Sequence, residues 1–330
     1  MNFREVVNQF KDKNILVIGD VMIDAYLRGN VNRVSPEAPV PIVSLQKEEE
    51  RLGGAANVAI NLVAMGAKAI ICSVVGKDKA GKQLVNLLTE NNISGDGLVF
   101  SPERQTTVKT RVIGNNQHLL RIDSEQVEDV SENEATELIQ KVENIIHHSK
   151  VDAIIFEDYN KGVLTEKVIT EIVTVANANN VVTTVDPKHK NFFAYKNVTL
   201  FKPNLKELKE GVNKIFSFQE IEKFEEAVAI LEEKLNNQIS FITLSENGVF
   251  IKDKTTQHHV PAHIRNIADV SGAGDTVISV ATLCLAAGMS IKDLAEIANL
   301  AGGLVCEKSG VVSIDKELLI KEVELVVAKH

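Results

Sequence analysis

Short runs of branched apolar residues recur along the chain, each followed by a stretch with helical spacing: 15–18 before 54–65, 69–75 before 79–91, 153–156 before 165–179, and 181–185 before a helix near 204–210. Unbroken apolar runs suit strands buried on both faces, and intervening helices supply the crossovers that parallel strands need. The pattern predicts an α/β fold: a doubly wound, mostly parallel sheet with helices on both faces.

Two segments break this rhythm. Residues 25–47 carry three prolines and short β-prone stretches, and within 96–122 two such stretches flank Gly114-Asn115-Asn116, the residue types of a tight hairpin turn. Neither holds a crossover helix, so together they predict a small antiparallel β lid. From Asp269 onward the spacing is helical, over 274–287, 290–307 and 315–328, with stops at Gly288 and Gly310. No repeat or linker divides the chain, which is read as one domain over 1–330 with the lid inserted in it.

Composition narrows the function. The 330 residues are 44% hydrophobic and 25% charged, an ordinary globular balance. A net charge of −9 disfavours a nucleic-acid partner. Cys72, Cys284 and Cys306 lie far apart, without disulfide or zinc spacing. No secretory leader or membrane span is read, so a cytoplasmic protein is expected.

The strongest chemical signal is Gly272-Ala273-Gly274-Asp275-Thr276, where a polar loop opens an apolar helix. Glycines let backbone N–H groups approach an anion, and a helix N-terminus favours negative charge. Asp275 beside such a site can take a proton from an attacking hydroxyl, or can simply cap the helix. Gly53-Gly54-Ala55-Ala56-Asn57 opens another helix and suits either a sugar lying on the backbone or close packing. Asp20 and Asp24 follow the first strand, where they can grip sugar hydroxyls or solvate a loop. Asn204-Leu205-Lys206-Glu207 offers a helix cap, and with it groups to hold Mg²⁺-bound water and phosphate; no direct protein ligand for Mg²⁺ is assigned.

Two features are set aside. Gly76-Lys77-Asp78-Lys79-Ala80-Gly81-Lys82-Gln83 approaches a Walker phosphate loop, but Gln83 lacks the hydroxyl that ligates Mg²⁺. His258, His259 and His263 lie in an extended stretch interrupted by Pro261 and not on one helical face.

Gly53-Gly54 through Asn57 to Gly66, and Asp269-Val270-Ser271-Gly272-Ala273-Gly274-Asp275, resemble the two signatures of the ribokinase-like family of carbohydrate kinases, in that family's order and across essentially the whole chain. The resemblance implies that Asp275 is the catalytic base, that the amides of Gly272, Ala273, Gly274 and Asp275 form an anion hole, and that Asp24, Gly53, Gly54 and Asn57 meet the sugar. It implies ATP at Asn204, Glu207 and the region from Thr243 through Gly248, with Asn299 near the adenine. It leaves a monovalent cation beside Mg²⁺ open.

Arg33-Val34-Ser35-Pro36-Glu37-Ala38-Pro39-Val40-Pro41, Asp158-Tyr159-Asn160-Lys161-Gly162 and Asp186-Pro187-Lys188 resemble the branch acting on D-glycero-D-manno-heptose 7-phosphate in ADP-heptose synthesis for lipopolysaccharide core. A phosphorylated sugar needs cations, which Arg33, Arg121, Lys161 and Lys188 could supply, with Asp158 and Asp20 beside them. The fused nucleotidylyltransferase of some relatives shows a His-x-Gly-His motif that this chain lacks, so the kinase step alone is expected. The rivals are a kinase of the same fold for another sugar, sugar phosphate or sugar acid, and a catalytically silent regulator. Exposed lid edges invite a second copy, predicting a homodimer through 25–47 and 96–122.

Overall fold

In a computed structural model, residues 3–263 and 265–327 are described. Among them nine strands form one sheet in the order β13-β12-β11-β10-β9-β8-β1-β4-β5. The strands are β1 (Asn14–Gly19), β4 (Lys68–Gly76), β5 (Ser94–Ser101), β8 (Ala153–Glu157), β9 (Val182–Asp186), β10 (Leu200–Phe201), β11 (Ile239–Thr243), β12 (Val249–Lys252) and β13 (Gln257–Val260). Pairing is parallel from β5 through β11, and β12 and β13 close one edge antiparallel.

The central strand explains the unbroken apolar run. In β1, Ile15 and Val17 point into one core cluster, while Leu16 and Ile18 point into the other. Side chains alternate faces along a strand, so burial of both faces demands an apolar residue at every position. Helices α2 (Ala55–Ala64), α8 (Ala273–Ala286) and α9 (Ile291–Cys306) cover the first face; α4 (Glu132–His148), α5 (Glu166–Ala178) and α7 (Ile221–Leu235) cover the second. Helix α6 (Leu205–Val212) follows β10, and α3 (Lys79–Glu90) follows β4. The Walker-like stretch proves structural: the Asp78 carboxylate accepts from Gly81 N and from Thr106 N and Oγ1, capping α3.

The lid is a four-stranded sheet in the order β3 (Pro41–Gly54), β2 (Val21–Val34), β6 (Val108–Gly114) and β7 (Gln117–Ser124). Asn115 and Asn116 both take left-handed backbone angles, φ 51° and 64°, which a two-residue hairpin turn requires and Asn tolerates. The boundaries differ from the expected ones in two ways. Residues 96–101 belong to β5 and pair with β4 in the large sheet, because Leu98 and Val99 are buried there. Strands β2 and β3 extend inward to Val21 and Gly54, so Asp24, Gly53 and Gly54 are themselves lid residues. No helix among the described residues is long and apolar enough to cross a membrane.

Candidate active site

The carboxyl ends of β1, β8 and β9 point toward the start of α8, and the chemistry gathers there. Gly272, at φ 79°, turns the chain into α8 and leaves Asp275 in its first turn. The N–H groups of Gly274 and Asp275 have no backbone acceptor among the described residues, as expected of donors in a first helical turn. Those donors and the helix field make an anion site.

Asp275 is buried, and its carboxylate accepts from Asn57 Nδ2 at 2.6 Å and from the Tyr159 hydroxyl at 3.0 Å. Burial pushes its pKa up to about 6; the Asn57 bond opposes the rise and the charge of Asp186 adds to it. Asn57 is placed by α2, whose start needs Gly54: a Cβ there would lie 2.3 Å from the Asp20 carbonyl oxygen. Asn61, one turn on, accepts from Thr276 Oγ1 at 3.2 Å and from Ile314 N at 3.0 Å, tying α2 to α8. Asp275 and the asparagine that orients its carboxylate are thus carried on two cross-linked helices.

Glu157 and Asp186, at the ends of β8 and β9, bring carboxylate oxygens within 4.8 Å of one another and of Asp275. Lys202 is buried with its Nζ 2.8 Å from Asp186. Burial, then the charges of Asp186 and Asp275, hold the Glu157 carboxyl well above the usual range, and its Oε2 is buried without a partner. Clustered hard oxygen donors with an unsatisfied oxygen fit a divalent cation such as Mg²⁺.

A cavity of about 600 Å³ adjoins the same helix start and is lined by Thr243, Gly248, Ala273, Gly274, Val277 and Asn299 among others. The expected nucleotide residues Thr243, Gly248 and Asn299 therefore meet the anion site in one space.

A family model described as pfkB family carbohydrate kinase matches residues 12–317. The chain belongs to the pfkB family of carbohydrate kinases. This kinase is 40% identical over 300 residues to the bifunctional protein HldE of Aliarcobacter butzleri, covering 91% of this chain and 62% of that protein. It is 39% identical over 299 residues to the HldE of Helicobacter pylori strain G27, covering 90% and 64%. The chain thus spans less than two thirds of the curated relatives' length. Its fold matches phosphofructokinase-2 of Escherichia coli in complex with potassium (TM-score 0.78, 19% identity, 96% of this chain and 99% of that one). It also matches ribokinase of Arabidopsis thaliana complexed with ribose and ATP (TM-score 0.69, 16% identity, 94% and 99%). The kinase has the ribokinase-like fold.

Several sequence expectations require correction. Asp20 cannot grip a sugar, because its buried carboxylate already accepts from the N–H groups of Tyr159, Lys161 and Val163 at 3.0–3.1 Å; it positions the loop that carries Tyr159. Asp158 is likewise engaged, by the Tyr195 hydroxyl at 3.0 Å and Asn160 N at 2.7 Å. Arg33 is exposed near the outer end of β2, nine residues beyond Asp24 and so roughly 30 Å along the strand. Lys161 pairs with Glu125 at 2.6 Å, and Arg121, 59% exposed, pairs with Asp123 at 2.9 Å.

Asn204 and Glu207 form the capping box read from their spacing, and the second Glu207 oxygen accepts from Lys188 Nζ at 2.6 Å. Burial pulls the Lys188 pKa down, but Asp186 and Glu207 carry it up on balance, so it stays charged beside the site. Sequence reasoning gave no role to Tyr159, Glu157, Asp186 or Lys202. The usable signal for Glu157 was an acid ending an apolar strand, where ligands of such sheets bind.

Two outcomes follow for the kinase. A Cβ at Gly274 would meet Asp186 Oδ2 at 3.5 Å and Lys202 Nζ at 3.9 Å, ordinary contacts. Gly274→Ala should therefore melt at or above the wild-type temperature, Ala being favoured in a helix by about 1 kcal/mol. Its turnover should still fall on the order of a hundredfold, because the methyl occupies the anion's approach; wild-type turnover would disprove the anion hole. If Asp275 is the base, it works only when ionised, so log kcat/KM should be flat above pH about 6 and fall below it. A profile flat down to pH 4.5 would remove Asp275 from that role.

Proposed function

We propose that this kinase transfers the γ-phosphoryl group of ATP to the anomeric hydroxyl of D-glycero-D-manno-heptose 7-phosphate, giving the 1,7-bisphosphate. The observation that carries the transfer is Asp275, a buried carboxylate at a helix N-terminus held by Asn57 and Tyr159. The substrate reading is supported by the HldE relatives and by the stretches 33–41, 158–162 and 186–188.

The acceptor hydroxyl lies against Asp275 and Asn57, and its proton passes to an Asp275 oxygen as its oxygen attacks the γ-phosphorus in line, with ADP leaving. The N–H groups of Gly274 and Asp275, with Lys202 and Lys188, stabilise the negative charge spreading over the phosphoryl oxygens. Mg²⁺, where bound, neutralises phosphate charge, and Asp186 with Glu157 would hold it, Glu207 having both oxygens engaged. The cavity lined by Thr243, Gly248 and Asn299 takes the nucleotide. The lid covers the sugar and excludes water, which limits transfer to solvent.

The lid also supports a homodimer. Leu45, Leu120 and Ile122 are 50%, 58% and 49% exposed on it, and β3 and β7 leave edges unpaired among the described residues. Covering that surface with a second copy would bury it.

A coupled ADP-release assay should show strong preference for the heptose 7-phosphate over fructose 6-phosphate, fructose 1-phosphate and ribose. Asp275→Asn should lose at least a hundredfold in turnover while still binding both substrates. Activity on another sugar alone would discard the heptose and keep the chemistry, and turnover of none would favour a silent regulator. Light scattering at micromolar concentration should give twice the 36.1 kDa chain mass; a monomer would refute the lid dimer.

A further inference from the structure

The lid carries a cluster of guanidinium groups around one aromatic ring. Arg28, Arg51 and Arg111 place their central carbons 5.5, 5.3 and 5.2 Å from the centre of the Tyr26 ring. Strand register explains the convergence. Tyr26 on β2 faces Glu49 on β3 and Arg111 on β6, while Arg51 and Arg28 lie two residues away along the same face, beside Asp24 and Lys47 respectively.

The cluster is short of negative charge. Glu49 alone serves Arg28 at 3.3 Å, Arg51 at 3.8 Å and Lys47. Asp24 serves Arg111. Arg111 also stands directly opposite Arg121 across the β6–β7 pair, where Asp24 answers the first guanidinium and Asp123 the second. Tyr26 adds a donor: burial raises its pKa, so the hydroxyl stays protonated, and it makes no hydrogen bond among the described residues.

This corner opens on the site. Asp24, Tyr26, Arg51 and Asn57 line one cavity of about 290 Å³, and Asn57 is the residue bonded to Asp275. Of its acidic walls, Asp24 is paired with Arg111, while Glu50 and Glu90 repel an anion, which leaves the Tyr26–Arg51 corner as the place to hold one. A sugar with its reacting hydroxyl at Asp275 would extend along Asn57 and Asp24 toward that corner.

We infer that Arg51 and the Tyr26 hydroxyl, with Arg111 packed on the same ring behind them, bind the phosphate monoester at the far end of the sugar and so select phosphorylated over free sugars. The inference rests on the proposed sugar-phosphate kinase reading and names the residues that impose it. It replaces Arg33 and Lys188 as the recognising cations: Arg33 is too distant, and Lys188 is held at the nucleotide side by Glu207. Arginine suits the role because its fork of donors matches phosphate oxygens.

The test is calorimetric binding without nucleotide, using heptose 7-phosphate, the free heptose, fructose 6-phosphate and inorganic phosphate on wild type, Arg51→Gln and Tyr26→Phe. Charge-assisted hydrogen bonds of this kind predict a ten- to hundredfold weaker affinity of Arg51→Gln for the phosphorylated sugar, with the free sugar unchanged. Tyr26→Phe should lose several-fold in the same selective sense. Inorganic phosphate should compete with the sugar phosphate on wild type and not on Arg51→Gln. ATP binding and melting temperature, unchanged in both variants, establish that they fold.

Equal losses for phosphorylated and free sugar, or no loss for either, would overturn the inference. Wild type that prefers fructose 6-phosphate, with the same dependence on Arg51, would refute the heptose reading while upholding the phosphate corner. Wild type that binds only free sugars would overturn the corner and leave the transfer chemistry standing.

Discussion

The site depends on keeping one carboxylate ionisable yet buried at the N-terminus of α8. Burial alone would neutralise Asp275, and an isolated buried charge is costly. Its two hydrogen bonds, from Asn57 on α2 and Tyr159 in the loop after β8, offset that cost and hold the oxygens in fixed directions. Each donor is then anchored by a further contact: Asn61 links α2 to α8, and Asp20 clamps the loop by three amides. Three elements distant in sequence thus converge on one buried carboxylate.

The same economy governs the surrounding charges. Glu157, Asp186 and Asp275 crowd together, and Lys202 and Lys188 sit beside them. Burial above all, and then the like charges of Asp186 and Asp275, drive Glu157 toward its neutral form. Such a cluster is poorly satisfied by the protein alone and well satisfied when cationic or anionic ligands complete it. A region that is electrostatically incomplete in isolation is the physical mark of a ligand site.

The lid divides its work between its two faces through the simple alternation of strands. Asp24, Tyr26 and Arg28 share one face of β2, on which Asp24 and Tyr26 line the cavity that reaches Asn57; Ala25 and Leu27 share the other. On the proposed reading the apolar face would meet a second copy and the charged one the anionic sugar. Register is decisive here, since a slip of one residue would exchange the two faces.

How much of this could be read without coordinates follows from the range of each interaction. The buried strands, their crossover helices, the Asn115-Asn116 turn and the helix opening at Gly272 all rest on residues near one another in the chain, whose spacing and backbone preferences are local physics. By that route the sequence by itself determined the doubly wound sheet, the existence of a lid, and Asp275 as the acid at a glycine-opened helix. Asp20 and Asp158 suit a sugar site by type, but backbone amides and the Tyr195 hydroxyl engage them, and Arg33 lies far out along β2. Only the tertiary structure decided that Asp20 is spent on backbone amides, that Tyr159 and Asn57 meet at Asp275, that Glu157 and Asp186 join it, and that three arginines surround Tyr26. Those outcomes depend on parallel strands from separate parts of the chain ending side by side and on strand register, and no local spacing records either.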